Sequence, residues 1–472
     1  MTALAAPRSG ADDHAAGATS SPAGPVDDAT PTRLPSGFGV APALQGLRFG
    51  MRPMGFNLGA AARFGDVWQL RLPTQRKGFV VSSHPDHLRS LLTADPGDAP
   101  SLTGESPLRP ILGPNSILTS VGPRHLRQRR LLLPPFHGEA VQRYVEMISA
   151  VADREIERWP VGSSFALAPR MQAVTLEVIM RGVFGIEGTS RGTIEHGMRE
   201  TIRRLLAAST HPLFRLVELR NTGRAEARGV LARMLTFADR QMYAVIRARR
   251  AAADRESRGD VLSLLLAARD EHGEPLTDHE LRDELMSLVL AGHETTANSL
   301  AWTFERLLRT PPAWDRLCEL VRGPDRAAAD AYVEATIHEG MRNRPVIPMI
   351  VRLVTRRWRF GDYVLPARTP VAISIIALHH RPDVYPEPHA FRPERFVGTK
   401  PGTYTWIPFG GGIRRCLGAS LAMAEQRVVL EAIARRTDLV APDPSPEPAR
   451  MRNVTMIPRG GCRVTVTGVS AD

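Results

Sequence analysis

The sequence predicts a mainly α-helical protein with minor β structure, built as one large domain. Three observations predict this class. Helical spacing of apolar residues dominates from about residue 124 to residue 345. Short runs rich in β-branched residues lie near both ends of the chain. No Pro-, Gly- or Ser-rich linker interrupts the chain after its N-terminal segment, and no internal repeat is visible, so one domain is favoured over two.

The N-terminal segment has a composition that predicts disorder. Residues 1–33 are rich in Ala, Gly, Ser, Pro and Asp. Such a segment buries too little apolar surface to offset the entropy that it loses on ordering. We therefore expect a disordered tail over residues 1–33 and a single domain over residues 34–472.

The overall composition is that of a soluble globular protein with a large core, because 43% of its 472 residues are hydrophobic and 23% are charged. Its three cysteines, Cys318, Cys416 and Cys462, are too few and too scattered for a disulfide framework or a zinc site. This indicates a reducing compartment, and we expect the cytoplasm. No apolar run approaches the roughly 18 residues of a membrane-spanning helix, and no secretory signal pattern begins the chain.

The net charge of +12 comes mainly from arginine. Such a charge suits an acidic protein partner, an anionic membrane surface or nucleic acid. No nucleic-acid-binding motif is present, so we expect a solvated basic face and no nucleic-acid partner.

The strand predictions follow the chain in order. DVWQLRL at 66–72 and GFVVSS at 78–83 are strand-like runs before the helical region. YVLPARTPVAISII at 363–376 and CRVTVTG at 462–468 follow it. These short runs predict small sheets beside a helical body.

The stretch FGGGIRRCLGASLAMAEQR, residues 409–427, places Cys416 among glycines just before a predicted helix. Apolar residues recur on one helical face after Gly418, and the free N–H groups of a helix N-terminus stabilise a thiolate. Arg414 would place a positive charge against the anionic edge of a bound group. The lone sulfur suggests an axial metal ligand. Close approach of a large flat group is allowed by four glycines: Gly410, Gly411, Gly412 and Gly418.

Other interpretations of this stretch are weaker. A dinucleotide-binding loop needs the spacing G-x-G-x-x-G after a strand, which is absent here. A cysteine-phosphatase loop has an arginine six residues after the cysteine, where this chain has Ala422. A glycine turn with a buried structural cysteine stays open on this motif alone.

The cysteine stretch resembles the heme-binding loop of the cytochrome P-450 superfamily, F-x-x-G-x-R-x-C-x-G. It matches at every specified position: Phe409, Gly412, Arg414, Cys416 and Gly418. The resemblance implies that the Cys416 thiolate is the proximal iron ligand of heme b (iron protoporphyrin IX) and that Phe409 packs beside the loop. It implies the P-450 fold, covers residues from about 34 to 472, and includes no fused reductase domain.

The segment AGHETT at 291–296 lies inside a long predicted core helix. Glycine and threonine weaken a helix, and the Thr295 hydroxyl can bond the carbonyl four residues earlier, which suggests room for a small ligand at mid-helix. The segment resembles the family's distal oxygen-binding helix, where an acid and an alcohol deliver protons. Glu294 and Thr295 match that pair, and a carboxylate in this setting should lie near water.

Two further segments, EGMR at 339–342 and PERF at 393–396, resemble the family's E-x-x-R helix and meander. Glu339 and Arg342 share one helix face. The resemblance implies that Arg395 completes a charge-assisted structural triad with them. This triad supports the fold and takes no part in the chemistry.

Cations are expected around the heme propionates. The resemblance implies four of them: His125, Arg129, Arg352 and Arg414. We expect three other arginines to face solvent and to form a basic face for an acidic electron donor: Arg124, Arg127 and Arg130. One departure from the family pattern is Arg368, where the family usually has glycine, so we expect this turn to differ in shape.

The resemblance therefore implies a soluble, cytoplasmic, bacterial-type heme-thiolate monooxygenase. Electrons from a ferredoxin or similar donor with its reductase, together with O2, would insert one oxygen atom into a lipophilic small molecule. A peroxygenase or heme isomerase of the same fold and a non-catalytic heme protein are the alternatives. By family position the pocket is expected to be lined by Leu290, Ala291, Thr295, Val346, Ile347, Met349, Thr455 and Met456.

Overall fold

The computed structural model of the protein describes residues 20–469 except 74, 103–107, 187–192, 211–216, 218–219, 222–223 and 225. Helices dominate it, as the sequence predicted. Their bounds are α1 (Pro42–Met51), α2 (Pro53–Phe64), α3 (Pro85–Thr93), α4 (Arg109–Leu112), α5 (Gly122–Leu132), α6 (Glu139–Ile156), α7 (Leu167–Gly182), α8 (Ile194–Thr210), α9 (Val230–Ala251), α10 (Val261–Ala267), α11 (Asp278–Leu307), α12 (Pro311–Arg322), α13 (Arg326–Asn343), α14 (Ile375–His379) and α15 (Ala419–Arg436).

The strands form small sheets beside this helical body. Sheet order is β2-β3-β8-β5 in the four-stranded sheet, β1-β6-β7 and β4-β12-β9 in the three-stranded sheets, and β10-β11 in a hairpin. The bounds are β1 (Ala23–Pro25), β2 (Val67–Leu72), β3 (Gln75–Ser82), β4 (Ser164–Ala166), β5 (Met349–Val354), β6 (Trp358–Phe360), β7 (Tyr363–Leu365), β8 (Thr369–Ser374), β9 (Thr437–Val440), β10 (Ala449–Arg452), β11 (Thr455–Pro458) and β12 (Arg463–Val469).

Helix α11 runs unbroken through the helical body for 30 residues. It begins with a capping box, in which Thr277 accepts a bond from the Glu280 N–H and the Glu280 carboxylate accepts one from the Thr277 N–H. Its C-terminal half carries Leu300 and Phe304 into the main core, where they are almost completely buried. The glycine and threonines at its centre therefore do not interrupt it, because packing on several sides outweighs weak helix propensity.

The structure corrects the expected extent of the N-terminal tail. Strand β1 pairs with β6 through Ala23, Gly24 and Pro25, and Arg33 bridges to Val364. Backbone pairing to an existing sheet edge orders this segment despite its low apolar content. Residues 20–33 therefore belong to the domain, and residues 1–19 lie outside the described residues.

The turn at Arg368 has a backbone conformation that favours glycine. Arg368 has a φ of 63°, in the left-handed region, and its N–H donates to the carbonyl of Val354 at 2.7 Å. Glycine adopts this region freely, whereas arginine adopts it at a conformational cost, and the turn is closed next to the β5–β8 pairing. That its shape differs from the turn of the family stays a prediction.

The expected triad comes together where Glu339 and Arg342, near the C-terminal end of α13, meet Arg395. Arg342 Nε and Nη2 donate to the two carboxylate oxygens of Glu339 at 2.6 and 2.7 Å, and both side chains are fully buried. Arg395 Nε lies 3.5 Å from Glu339 Oε1, an ion pair rather than a short hydrogen bond. Arg342 also fixes the segment that follows α14 by donating to the carbonyls of His379, Pro388 and Ala390.

We predict that Glu339→Gln lowers the free energy of unfolding by about 3–5 kcal/mol, because it leaves the Arg342 charge buried without its partner. Glu319→Gln is the matched control, since Glu319 also pairs with an arginine three residues away, at 2.7 Å, but on the surface. It should cost less than about 1 kcal/mol. Urea unfolding of the heme-loaded protein measures both changes. Similar losses in the two variants would contradict a supporting role for the buried pair.

Candidate functional site

The Cys416 loop is held in shape by its own backbone. The Cys416 N–H donates to the Phe409 carbonyl at 2.9 Å, and the Gly418 N–H points at the Cys416 thiol. Gly412 needs a φ of 62°, and a Cβ there would lie only 3.0 Å from the Leu92 carbonyl oxygen. Helix α15 starts directly after Gly418, so the prediction that the cysteine precedes a helix N-terminus is confirmed.

The Cys416 side chain is accessible although many protein atoms lie around it. It is exposed, yet burial among protein atoms raises the pKa of its thiol, against the lowering effects of the Gly418 N–H and of the charges of Arg415 and Arg129. Both facts hold when the sulfur points into a cleft inside the protein. The N–H at the helix end lowers the pKa of the thiol, as expected, but burial raises it by more. A bound cation is what would deprotonate the thiol.

The middle of α11 presents its open face to an interior space as well. Ala291 is exposed although Val289 and His293 beside it are buried. The Thr295 hydroxyl, four residues later on the same face, donates to the Ala291 carbonyl at 2.5 Å, as the sequence predicted. One turn further along, the Ser299 hydroxyl donates to Gln426 of α15 at 2.6 Å. The helix that follows Cys416 is therefore tied to α11 beside Thr295.

The opposite face of α11 serves helix packing. A Cβ at Gly292 would lie 2.6 Å from Ile179 Cδ1 of α7, so the glycine permits close approach of the two helices. The Thr175 hydroxyl of α7 donates to the His293 carbonyl at 2.8 Å. Burial lowers the pKa of His293 to about 4, and the ring stays neutral. Gly292 therefore explains a helix contact rather than room for a ligand.

Glu294 is held by the β10–β11 hairpin. Arg452 Nε and the Thr455 hydroxyl each donate to Glu294 Oε1 at 2.7 Å. The carboxylate keeps 22% of its surface exposed, so it is both paired and in reach of water, as expected for an acid in this helix. Sequence reasoning missed Arg452, because it lies 158 residues from Glu294 and no local pattern links them.

The structure corrects three of the expected pocket residues. Met456 is fully buried and Val346 almost so, in a cluster with Trp302. The Met456 N–H donates to the Val346 carbonyl at 2.7 Å. Thr455 is buried and bonds Glu294. These side chains complete a packed corner under the hairpin and do not line open space. The other expected positions keep exposed or half-buried surface: Leu290, Ala291, Thr295, Ile347 and Met349.

Four basic side chains from three elements cluster at the Cys416 loop: His125 and Arg129 of α5, Arg352 of β5 and Arg414 of the loop itself. Burial and the charges of the three arginines lower the pKa of His125 to about 4. Burial and the charges of Arg352 and Arg129 lower the pKa of Arg414 to about 10. The structure therefore brings the four expected residues together: the three arginines repel one another, and burial together with their charges keeps the His125 ring neutral.

No protein carboxylate neutralises this cluster within the described part of the chain. Arg129 donates to the Arg415 carbonyl at 2.8 Å, Arg352 to the Val351 carbonyl at 2.9 Å, and Arg414 to the Ile117 carbonyl at 3.1 Å. Carbonyl oxygens satisfy N–H donors but bring no negative charge. Burying like charges in this way is costly unless an anion is bound among them.

The comparison with known families bears on this arrangement. The sequence model of the cytochrome P-450 family matches residues 43–465, nearly the whole described chain. The chain belongs to the cytochrome P-450 family. This P-450 is therefore an oxidoreductase of the monooxygenase type that binds heme b through a cysteine thiolate.

Similar proteins agree with that membership. Cytochrome P-450 137 of Mycobacterium tuberculosis is 37% identical over 443 residues, which cover 93% of this chain and 90% of the relative. Cytochrome P-450 135B1 of Mycobacterium bovis is 37% identical over 438 residues, 91% of this chain and 89% of the relative.

Solved structures share the fold. A retinoic acid-bound cyanobacterial CYP120A1 superposes with a TM-score of 0.76 at 24% identity, and the heme domain of cytochrome P-450DA with 0.75 at 21%. Each match covers 93% of this chain and 100% of the other. The predicted P-450 fold is thereby confirmed.

The residues present fit heme on two counts. The cationic cluster lacks an anion, and heme carries two propionate carboxylates at one edge. Beside Cys416, a Cβ at Gly418 would meet no atom within 4 Å, which leaves open space next to the sulfur. Among the described residues, no group of three or more His, Cys, Asp or Glu side chains is arranged to hold a metal ion. A single sulfur ligand and a porphyrin therefore fit better than a set of protein ligands.

We predict that Arg352→Gln releases heme roughly tenfold faster or more, because a buried hydrogen bond to a charged group is worth about 1.5–3 kcal/mol. Transfer of heme to an excess of apomyoglobin measures the rate. Arg130→Gln is the control, since Arg130 is exposed and pairs with exposed Glu271. If both variants lost heme at the wild-type rate, the cationic cluster would not hold the propionates.

Proposed function

We propose that this P-450 binds heme b through Cys416 and inserts one oxygen atom of O2 into a lipophilic small molecule. The observation that carries the proposal is the Cys416 loop, since its cysteine is accessible, precedes a helix N-terminus and lies beside three arginines that no carboxylate neutralises in the described part of the chain. The other cysteines are unsuited: Cys462 is fully buried in the main core, and Cys318 packs against the same core from α12. Burial raises the pKa of the Cys318 thiol to about 11.

When bound, heme supplies the binding and activation of O2, and thiolate ligation favours cleavage of the O–O bond. The protein's residues would hold and orient it. The Cys416 sulfur would be the proximal ligand, with the Gly418 N–H pointed at it to tune its basicity. Phe409, at the start of the loop, packs against Trp406, with the two ring centroids 6.1 Å apart. His125, Arg129, Arg352 and Arg414 would bind the propionates.

Proton delivery is assigned to Glu294 and Thr295. Arg452 and Thr455 orient the Glu294 carboxylate while water still reaches it. The Thr295 hydroxyl donates to the Ala291 carbonyl, so its oxygen is free to accept a hydrogen bond from water on the open face of α11. Adjacent residues of a helix point about 100° apart. A proton would therefore pass from Glu294 to Thr295 through water rather than directly.

A lipophilic substrate is supported by the side chains that keep open surface around this space. Leu290, Ala291, Ile347 and Met349 are apolar, and they lie on α11 and on the segment leading into β5. A pocket with such a lining and one or two polar groups favours an apolar ligand held by shape. We place the protein in the cytoplasm, because all three cysteines are free. None of the helices that the structure describes could cross a membrane.

A small acidic ferredoxin is the proposed electron donor, docking beside the Cys416 loop. The expected basic face is smaller than predicted: Arg127 pairs with Asp270 at 2.6 Å and Glu280 at 2.9 Å, and Arg130 pairs with Glu271. Acids of the segment before α11 and of its first turn thus pair with these two cations. The exposed cations that remain on α5 and the loop are Arg124 and Arg415.

Reduction by a ferredoxin should therefore slow as ionic strength rises, and it should slow further in Arg124→Glu, because charge steers the encounter and salt screens it. Stopped-flow reduction at several salt concentrations measures this. Arg233→Glu, an exposed arginine on α9, is the control and should behave as the wild type. A rate indifferent both to salt and to Arg124→Glu would rule out docking at this face.

For the heme ligand, we predict that the reduced protein with carbon monoxide shows the red-shifted Soret band of thiolate ligation. Cys416→His should abolish that band while Cys318→Ser and Cys462→Ala retain it. Absorbance spectra with heme quantified in parallel separate loss of the ligand from loss of heme. Loss of the band in either control variant would show that the assignment of Cys416 is mistaken.

For proton delivery, we predict that Thr295→Ala keeps heme content and substrate affinity but forms less product per electron-donor molecule consumed, with the difference released as hydrogen peroxide. The reason is that the variant lacks the hydroxyl that positions water on the open face of α11. Thr296→Ala is the control, since Thr296 is buried on another face. Product and peroxide are measured together. Unchanged coupling in Thr295→Ala would favour a peroxygenase or a non-catalytic heme protein.

A further inference from the structure

Helix α1 has its polarity reversed relative to an ordinary surface helix. Its most buried residue is the polar Gln45, 1% exposed, whereas Leu44, Leu47 and Met51 are exposed by 37%, 57% and 57%. These three are spaced three and four residues apart, so they share one face, here called the α1 stripe. A surface helix normally turns such a face toward the core.

The reversal is built into the packing of the helix. Gln45 Nε2 donates to the Val40 carbonyl at 2.8 Å, and Gln45 Oε1 accepts the Arg71 N–H at 3.0 Å. Four residues along, the Phe49 ring packs 6.0 Å from that of Phe56 in α2. These contacts fix the inner face of α1, so the α1 stripe has no freedom to turn inward.

The chain around the α1 stripe is basic. No Asp or Glu occurs in the sequence between Asp28 and Asp66. Arg48 and Arg52 are exposed on α1 and at its end, and Arg63 is exposed near the end of α2. The neighbouring strands β2 and β10, against which α1 packs, also contain no acid. Long aliphatic side chains are thus exposed beside three arginines, Arg48, Arg52 and Arg63, that form no ion pair with the described residues.

We propose that the α1 stripe docks the protein onto an anionic lipid bilayer, with the aliphatic side chains in the headgroup region and the arginines at lipid phosphates. An apolar face flanked by cations is the pattern of helices that lie in a membrane interface. A convex helix needs no matching shape from a fluid surface. A second copy of the chain is disfavoured, because a two-fold contact would set Arg48 and Arg52 against the same arginines.

The test is flotation of the heme-loaded protein with lipid vesicles. Wild type should float with vesicles of phosphatidylcholine and phosphatidylglycerol, less at raised salt, and should stay behind with phosphatidylcholine alone. Leu47→Asp/Met51→Asp should weaken binding to the anionic vesicles by about tenfold or more, since each side chain loses its burial in lipid. Arg48→Gln/Arg52→Gln should lose roughly fivefold per charge removed.

Val161→Asp is the matched control, because Val161 is as exposed as Leu47 but lies at β12, far along the chain and off the stripe. It should float as wild type does. The carbon monoxide spectrum and heme content verify that each variant is folded, and they also keep this proposal separate from the proposed catalytic function. No flotation of wild type, or equal flotation of wild type and Leu47→Asp/Met51→Asp, would overturn the proposal. So would a change of oligomeric state in that variant with vesicle binding unaltered, which would make the stripe a contact between copies.

Discussion

The like-charge cluster around Arg414 is the constraint on which the site depends. Arg129 comes from α5, Arg352 from β5 and Arg414 from the Cys416 loop, so three separate elements must meet at one point. Their mutual repulsion opposes that meeting, and the protein answers it only with backbone carbonyls. A bound dianion would turn this repulsion into attraction, since opposite charges in a partly buried site interact strongly. Heme bound by this cluster, as proposed, would therefore couple cofactor binding to folding.

Helix α11 divides two tasks between its faces. Gly292 and His293 face α7 and set the distance between the two helices, while Ala291 and Thr295 face the open interior. Separation by face is what allows a helix of 30 residues to be a core element and a wall of the site at once. Glu294 lies between these faces. It is reached by the β10–β11 hairpin, so a C-terminal strand pair orients the carboxylate that we propose for proton delivery.

Charge is distributed unevenly over the surface of the protein. The net +12 suggested one broad basic face, but acids of the segment before α11 pair with Arg127 and Arg130. The arginines without a carboxylate partner instead lie around Arg414, next to the Cys416 loop, and separately along α1. Two small basic regions with different neighbours suit two different partners better than one diffuse field does.

The sequence by itself determined the features that depend on a few neighbouring residues. These include the helix start after Cys416, the Thr295 bond to the carbonyl four residues back, and the pairing of Glu339 with Arg342 three residues later. Such contacts are local because one or two turns of backbone set their geometry. The order of chemical groups along the heme loop was readable for the same reason.

Only the tertiary structure decided which distant residues contact each of these local segments. It placed Arg452 on Glu294, buried Val346 and Met456 under Trp302, and ordered residues 23–25 on the edge of β6. It also turned the leucines of α1 outward by burying Gln45. Partners far apart in sequence are selected by how elements pack, and the free energy of that choice is shared among many contacts, so no short stretch of sequence records it.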